Sequence, residues 1–276
     1  MVMGTLRGGG YTQGSSRSMR KRPVTVMASL LRRTAYVVLV TALTGTASFA
    51  ENSAGQAPAS QADLAPMSAT YGASMDKGLN IDGAATRSLQ QQADGTWLYR
   101  FDVDSFIADI EESVSFRWQD GRIQPLEYRY SLKGLLVPNR SRAINFNYVA
   151  DTVNGSYEGD TFTMALAEQA LDPLGFQLQL RQDLKAGKRE MSYTVADDGD
   201  YDHDRFAVIG EEALRTPQGT VQTLKLEKVR DGDSKRETLM WFAPALDYLL
   251  VRLVQVEPDG SRYEVNLQKA DLPTGP

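Results

Sequence analysis

Asp-Gly recurs along this chain at Asp94-Gly95, Asp120-Gly121, Asp198-Gly199, Asp231-Gly232 and Asp259-Gly260, each time between runs in which apolar and polar residues alternate. A two-residue hairpin loop needs positive φ at its central positions. Gly adopts that conformation freely and Asp tolerates it, so the recurrence predicts antiparallel hairpins in series. The alternating runs cover 67–75, 86–92, 97–103, 110–118, 143–149, 156–157, 161–166, 190–196, 205–210, 221–230, 235–242, 249–257 and 261–269. Asn154-Gly155 and Thr216-Pro217-Gln218-Gly219 read as further turns. After Asp120-Gly121 the apolar phase changes: Ile123 is odd, whereas Leu126, Tyr128, Tyr130 and Leu132 are even. A one-residue slip turns every side chain to the other face, so a bulge is expected at Gln124-Pro125, where a missing amide hydrogen does least harm.

One helix interrupts the strands, at 173–185. Asp172 is placed to cap it, Pro173 falls in the first turn where its absent amide is harmless, and Gly187 follows the basic end at Lys185. At 100° per residue Leu171, Leu174, Leu178, Arg181 and Leu184 form one stripe, and Phe176 and Leu180 lie opposite. Apolar residues on two faces imply that the helix is covered on both sides or closes the mouth of a cavity. Ten or more antiparallel strands cannot stay flat, because twist accumulates. The expected fold is mainly β: an antiparallel meander forming a strongly curved sheet or incomplete barrel, with the helix packed on or across it. There is no 20–50-residue repeat of the kind a propeller or solenoid would need.

The first fifty residues hold seven basic side chains and no acidic one, and they end in a short apolar run. Arg32-Arg33, the apolar core 35–43 and Ser48-Phe49-Ala50 have the order of a secretory signal cut after Ala50. That core is too short to span a bilayer. Met27 already makes a sufficient start for this signal. Residues 51–66 are small and polar and read as a flexible linker, 67–271 as a single β-rich domain, and 272–276 as a tail. Loss of residues 1–50 moves the formal net charge from −5 to −12. So acidic a surface repels nucleic acid and anionic headgroups. The chain has no Cys, so neither a disulfide nor a lipidated N-terminal Cys is available, and the product is expected to be soluble in the periplasm.

Chemistry is sparsely provided. With one His and no Cys, the commonest nucleophile–base pairs and His-rich zinc sites are unavailable, and no Gly-rich phosphate loop precedes a helix. His203 lies in the acidic turn 197–204, where Asp198, Asp200 and Asp202 have the first spacings of a calcium loop. His203 and Ile209 stand where that loop needs Gly and Glu, so the turn reads as solvated. Glu111-Glu112 and Glu211-Glu212 are adjacent on strands and point to opposite faces, which does not suit glycoside hydrolysis. No catalytic, metal-binding or cofactor-binding residue is assigned, and no cofactor is expected. Glu112 is in phase with Ile110, Val114, Phe116 and Trp118 and is expected to point inward. Arg181, on the main apolar stripe of the helix, needs a carboxylate partner if it is buried. Leu174, Leu178, Arg181, Glu112, Phe116 and Trp118 are the candidate lining of an apolar site. The aromatics Trp97, Tyr99, Phe101, Tyr128, Tyr130 and Tyr148 suit core filling equally well.

The Asp172-Pro173 helix running to Arg181 and Leu184, Thr216-Pro217-Gln218-Gly219, Trp241-Phe242-Ala243-Pro244, the run from Asp247 to Arg252, and Asp259-Gly260 together resemble the domain of unknown function 3108 family. These are exported bacterial proteins without an assigned activity. The resemblance covers roughly 66–270; Leu250 stands where that family would have a proline. It supplies no catalytic residues. A looser similarity in fold is to the periplasmic lipoprotein carriers LolA and LolB, whose incomplete barrels enclose an apolar cavity beneath helices. The expected function is a soluble periplasmic, non-enzymatic carrier for a lipid or acyl chain. The alternative is a solid-cored module that engages another envelope protein, and a hydrolase comes third.

Overall fold

The computed structural model describes residues 64–76, 80–106, 108–134, 138–230, 232 and 234–272, without the side chains of Asn80 and Ile81. The expected export signal and nearly all of the linker and tail lie outside the described residues. Among the described residues fourteen strands and one α-helix follow one another as β1 (Met67–Asp76), β2 (Asn80–Gln91), β3 (Trp97–Ser105), β4 (Ala108–Gln119), β5 (Arg122–Gly134), β6 (Arg140–Asn147), β7 (Thr152–Tyr157), β8 (Asp160–Ala165), α1 (Gly175–Lys185), β9 (Glu190–Asp197), β10 (Asp200–Thr216), β11 (Gly219–Lys228), β12 (Glu237–Ala243), β13 (Leu249–Val256) and β14 (Arg262–Asp271).

All the strands belong to one antiparallel sheet, in the order β8-β7-β6-β5-β4-β3-β2-β1-β14-β13-β12-β11-β10-β9. The chain meanders outward from β1 to β8, passes through α1, and returns from β9 to β14, which pairs with β1. The accumulated twist of so many strands rolls the sheet until β8 and β9 approach each other. They do not join by a ladder. Instead the segment after β8 lies along β9: Leu171 N–H donates to Thr194 O at 2.9 Å and Ala196 N–H to Leu171 O at 2.8 Å. The Tyr201 hydroxyl donates to Ala165 O and accepts from Ala167 N–H, pinning β10 to the end of β8. The result is the expected curved meander, an open barrel with the helix connection in its seam.

The turns depart from expectation in detail. Asp120-Gly121 and Asp198-Gly199 have positive φ at both positions, as a two-residue hairpin requires. At Asp94-Gly95 and Asp259-Gly260 only the glycine is left-handed, so these are wider turns; Asp231 lies outside the described residues. Asn154-Gly155 is not a turn. Both residues are inside β7, and the hairpin falls instead at Glu158-Gly159, whose φ values are 50° and 96°. Gly155 is required by a close approach: a Cβ there would come within 2.3 Å of the Phe162 ring and 2.7 Å of Ala143 O. β5 carries the bulge that the phase change calls for, one residue past the expected Gln124-Pro125. Phe116 pairs with Pro125 and Ser115 with Glu127, which leaves Leu126 as the extra residue and turns both Ile123 and Tyr128 inward.

Helix α1 starts two residues later than expected, because residues 170–174 are spent on the seam. Asp172 still caps it: Oδ1 accepts from the amides of Leu174 and Gly175 at 2.9 and 2.8 Å. Both apolar faces are covered, with Leu174, Phe176, Leu178, Leu180 and Leu184 all buried. Phe176 stacks on Phe206 of β10 with centroids 5.6 Å apart.

Candidate functional site

Topology places α1, the β4–β5 turn and the Pro244–Leu246 turn of 3-10 helix at one end of the rolled sheet, and the β1–β2, β3–β4, β9–β10 and β13–β14 connections at the other. The helix is clasped at its own end by polar groups from around the roll. Gln179 Oε1 accepts the Ile123 amide at 3.0 Å, Arg181 donates to Asp247 O and Oδ2 at 2.9 and 2.8 Å, Tyr193 donates to Asp183, and Arg87 donates to Gln177 at 2.9 Å. The carboxylate that Arg181 needs is therefore Asp247, from the turn before β13. Leu174 at the helix start, Leu178 within the helix and Phe116 on β4 are fully buried, and Trp118 is half-buried beside the β4–β5 turn.

Residues directly opposite across a ladder share a face, so the register sorts the interior into levels. One level reads Leu89, Tyr99, Val114, Tyr128 and Ile144, an apolar belt facing the helix. The next reads Arg87, Phe101, Glu112, Tyr130, Arg142 and Tyr157 across β2 to β7, a row of mostly polar side chains in the middle of a β core. Arg87, Glu112, Tyr130 and Arg142 are each at most 4 % exposed. Beyond this girdle comes the level Tyr71, Ala85, Val103, Ile110 and Leu132, mostly apolar and ending at Arg140, and past it Ala73 and Gly83.

Each charge in the girdle has its own solution. Arg87 lies over the Phe101 ring at 4.7 Å and donates to the Tyr99 hydroxyl at 2.8 Å. Arg142 pairs with Asp197, carrying the girdle across the seam from β6 to β9. Glu112 accepts from Tyr128 at 2.7 Å. Burial pushes its carboxyl up to about 7; the Tyr128 hydrogen bond opposes that shift and the neighbouring Asp172 adds to it. Burial likewise pushes Asp172 up to about 6, opposed by the two amides it caps. A general acid must reach its substrate. Glu112 and Asp172 are 2 % and 0 % exposed, so what they do in this conformation is hold the helix start and the girdle. The acids at the two ends of the acidic turn are likewise drawn inward, Asp197 to Arg142 and Asp204 to Lys228 at 2.6 Å, while Asp198, Asp200 and His203 between them are exposed as expected of a solvated turn. Among the described residues no group of three or more His, Asp or Glu is placed to hold a metal ion.

On the far side of the girdle the interior is unevenly lined. On β1 to β4 the inward residues Ala73, Met75, Val103 and Ala108 are only half-buried. Opposite in character is the level Thr238, Gln255 and Tyr263 on β12, β13 and β14, which continues to Met75 on β1. Its members are nearly fully buried, yet the Thr238 and Tyr263 hydroxyls have no hydrogen-bond partner among the described residues, and neither does that of Tyr130 in the girdle. Leaving a buried hydroxyl unsatisfied costs about 1–3 kcal/mol. Of this wall the sequence pattern showed the three alternating runs 235–242, 249–257 and 261–269 but not their common level. Thr238 and Tyr263 carry no motif, and only the register reveals that they share a face. A separate cleft of about 260 Å³ lies where the β10–β11 hairpin folds over the splayed ends of β13 and β14, between Arg215, Arg252 and Asn266. Arg252 is already engaged there by Glu264 and the Trp241 ring.

A family model described as protein of unknown function (DUF3108) matches residues 67–268. Among solved structures, the chain is similar to a β-barrel-like protein of domain of unknown function DUF1849 from Brucella abortus, with 13 % identity and a TM-score of 0.54 over 76 % of this chain and 99 % of that one. A DUF1329 family protein from Desulfovibrio piger also matches, at 10 % identity and a TM-score of 0.23 over 76 % of this chain and 87 % of that one. No curated protein matches. The DUF1849 similarity establishes a shared β-barrel-like fold. No described helix is long and apolar enough to cross a membrane.

Proposed function

We propose that this chain, which belongs to the DUF3108 family, is a non-enzymatic binding module that works in the periplasm and takes an acyl chain into the end of its rolled sheet opposite α1. The observation that carries this reading is the half-buried apolar strip Ala73, Met75, Val103 and Ala108 on the concave face. A closed core fills such positions with large side chains at native density. Here the side chains at these positions are only half-buried and leave an inward apolar surface of the kind that lines ligand sites. The packed helix half then serves as a floor, and the charged girdle sets how deep an apolar chain can go, because burying methylenes against Arg87 and Glu112 returns no hydrogen bonds. The basic flank Arg32-Arg33, the short apolar core 35–43 and the small residues at Ser48 and Ala50 support the periplasmic assignment.

Displacement of a fluorescent fatty acid tests the reading. Purified wild type is expected to bind the probe saturably. Val103→Trp, which adds bulk to the strip at a half-buried position, is expected to bind at least tenfold more weakly with an unchanged far-UV spectrum. No saturable binding by the wild type, or equal binding by the folded variant, would reject it.

A further inference from the structure

We propose that two copies of this chain associate through the outer edge of β10, Glu211 to Arg215, which pairs antiparallel with itself and continues one sheet across both molecules. β9 accompanies β10 only as far as Ala207, opposite Glu190, and the last bond on that side runs from Val208 N–H to Arg189 O. A bulge between Val208 and Gly210 follows, and from 209 to 216 the strand has a ladder partner only in β11 among the described residues. Burial along this stretch alternates: Glu212, Leu214 and Thr216 are half-buried, whereas Glu211, Ala213 and Arg215 are exposed. The hairpin therefore rests on the molecule by one face, over the cleft beside Val251 and Leu267, and its edge lies to the side. A Cβ on Gly210 would meet nothing within 4 Å. Edge strands are commonly blunted by Lys or Pro, and 208–216 contains neither. β8, by contrast, is turned into the seam, where the Tyr201 hydroxyl holds its end.

Backbone direction and charge select one register. Thr216 and Gly219 close the hairpin around Pro217-Gln218, so residues 216, 214 and 212 direct their N–H and C=O toward β11. Those of 211, 213 and 215 point the opposite way and have no partner among the described residues. With a two-fold axis at Ala213, the two Ala213 residues exchange both bonds, and residue 211 does the same with residue 215 of the other copy. Every outward amide and carbonyl of the stretch is then satisfied. The same register sets Glu211 of each copy directly opposite Arg215 of the other, twice by symmetry. Neither side chain has an ion-pair partner of its own among the described residues. An axis at 211, 212 or 215 would instead face Glu with Glu or Arg with Arg, and one at 214 leaves both charges without a counterpart. Ile209, 47 % exposed at the base of the run, falls opposite Pro217 of the second copy. The β10–β11 turn belongs to the α1 end, so a dimer joined here leaves the opposite end of both rolls accessible, and it does not rest on the acyl-chain reading.

Sedimentation equilibrium of the purified chain over a wide range of concentration tests this directly. The wild type is expected to pass from monomer to dimer and no further. Ala213→Pro deletes the amide that faces the second copy while leaving the β11 ladder intact, and is expected to weaken the dimer about tenfold. Glu211→Arg and Arg215→Glu each set like charges opposite one another and are expected to weaken it about fivefold, whereas the double variant restores unlike charges and should fall within about twofold of the wild type. These charge variants alter exposed side chains alone, so they report the register whether or not the proline variant folds. A chain that stays monomeric throughout, a dimer that folded Ala213→Pro leaves as tight as the wild type, or a double charge variant no tighter than the single ones would overturn the proposal.

Discussion

Glu112 shows how one residue ties the interior to solution conditions. A glutamate ordinarily titrates at 4.5 and this one at about 7, because burial disfavours its charge. Between those values the folded chain holds the proton more tightly than the unfolded chain does. The stabilisation from this group is therefore complete below about pH 4.5 and lost as the pH rises through about 7, by at most about 3 kcal/mol. Glu112→Gln keeps an acceptor for Tyr128 and has nothing to titrate. Urea unfolding between pH 5 and 8 should show the wild type losing more stability than the variant, and parallel pH profiles would contradict the assignment. Arg142 and Asp197 give a second test, since their pair joins β6 to β9 with side chains 3 % and 6 % exposed. Arg142→Met leaves a buried carboxylate without its guanidinium and should cost about 3–5 kcal/mol, and adding Asp197→Leu should restore much of the loss. A denaturant midpoint that barely moves would show that the seam does not depend on this pair.

At the scale of elements, the helix is the part whose role the sequence states most directly. Leu174, Leu178 and Leu184 on one side and Phe176 and Leu180 on the other demand cover all round, and the rolled sheet provides it. Leu178→Ala should destabilise the chain by about 2–5 kcal/mol. Lys185→Ala, which removes a half-exposed contact to Asp247, should cost less than about 1 kcal/mol. Equal effects in thermal unfolding would mean that the helix is held by its rim and not by its faces. The phase change in β5 was legible for the same local reason, because alternation records which face each residue takes. The β7–β8 hairpin was not, since Glu158 is an unusual left-handed residue and Gly155 mimics a turn signal while serving a close strand contact. The partner of Arg181 was also hidden. Asp247 is 66 residues away, and only the packing of the turn before β13 against α1 brings them together.

At the scale of the whole molecule, two halves of the chain meet at the β1–β14 pairing and are sealed, without a ladder, by the segment leading into α1. This design divides one interior into a filled half and a half-open one, with the girdle between them. Neither half is visible in composition. Arg87, Glu112, Tyr130 and Arg142 lie on four different strands, and their common level is a property of register, which single-strand periodicity does not contain. The central claim is that the half-open end receives an acyl chain. Solvent extraction and mass spectrometry of the chain, purified without detergent from the cells that produce it, measures this most directly. The account predicts an acyl lipid recovered at close to one per chain and depleted in Val103→Trp. Extracts from wild type no richer in lipid than those from an equally treated control protein would contradict it.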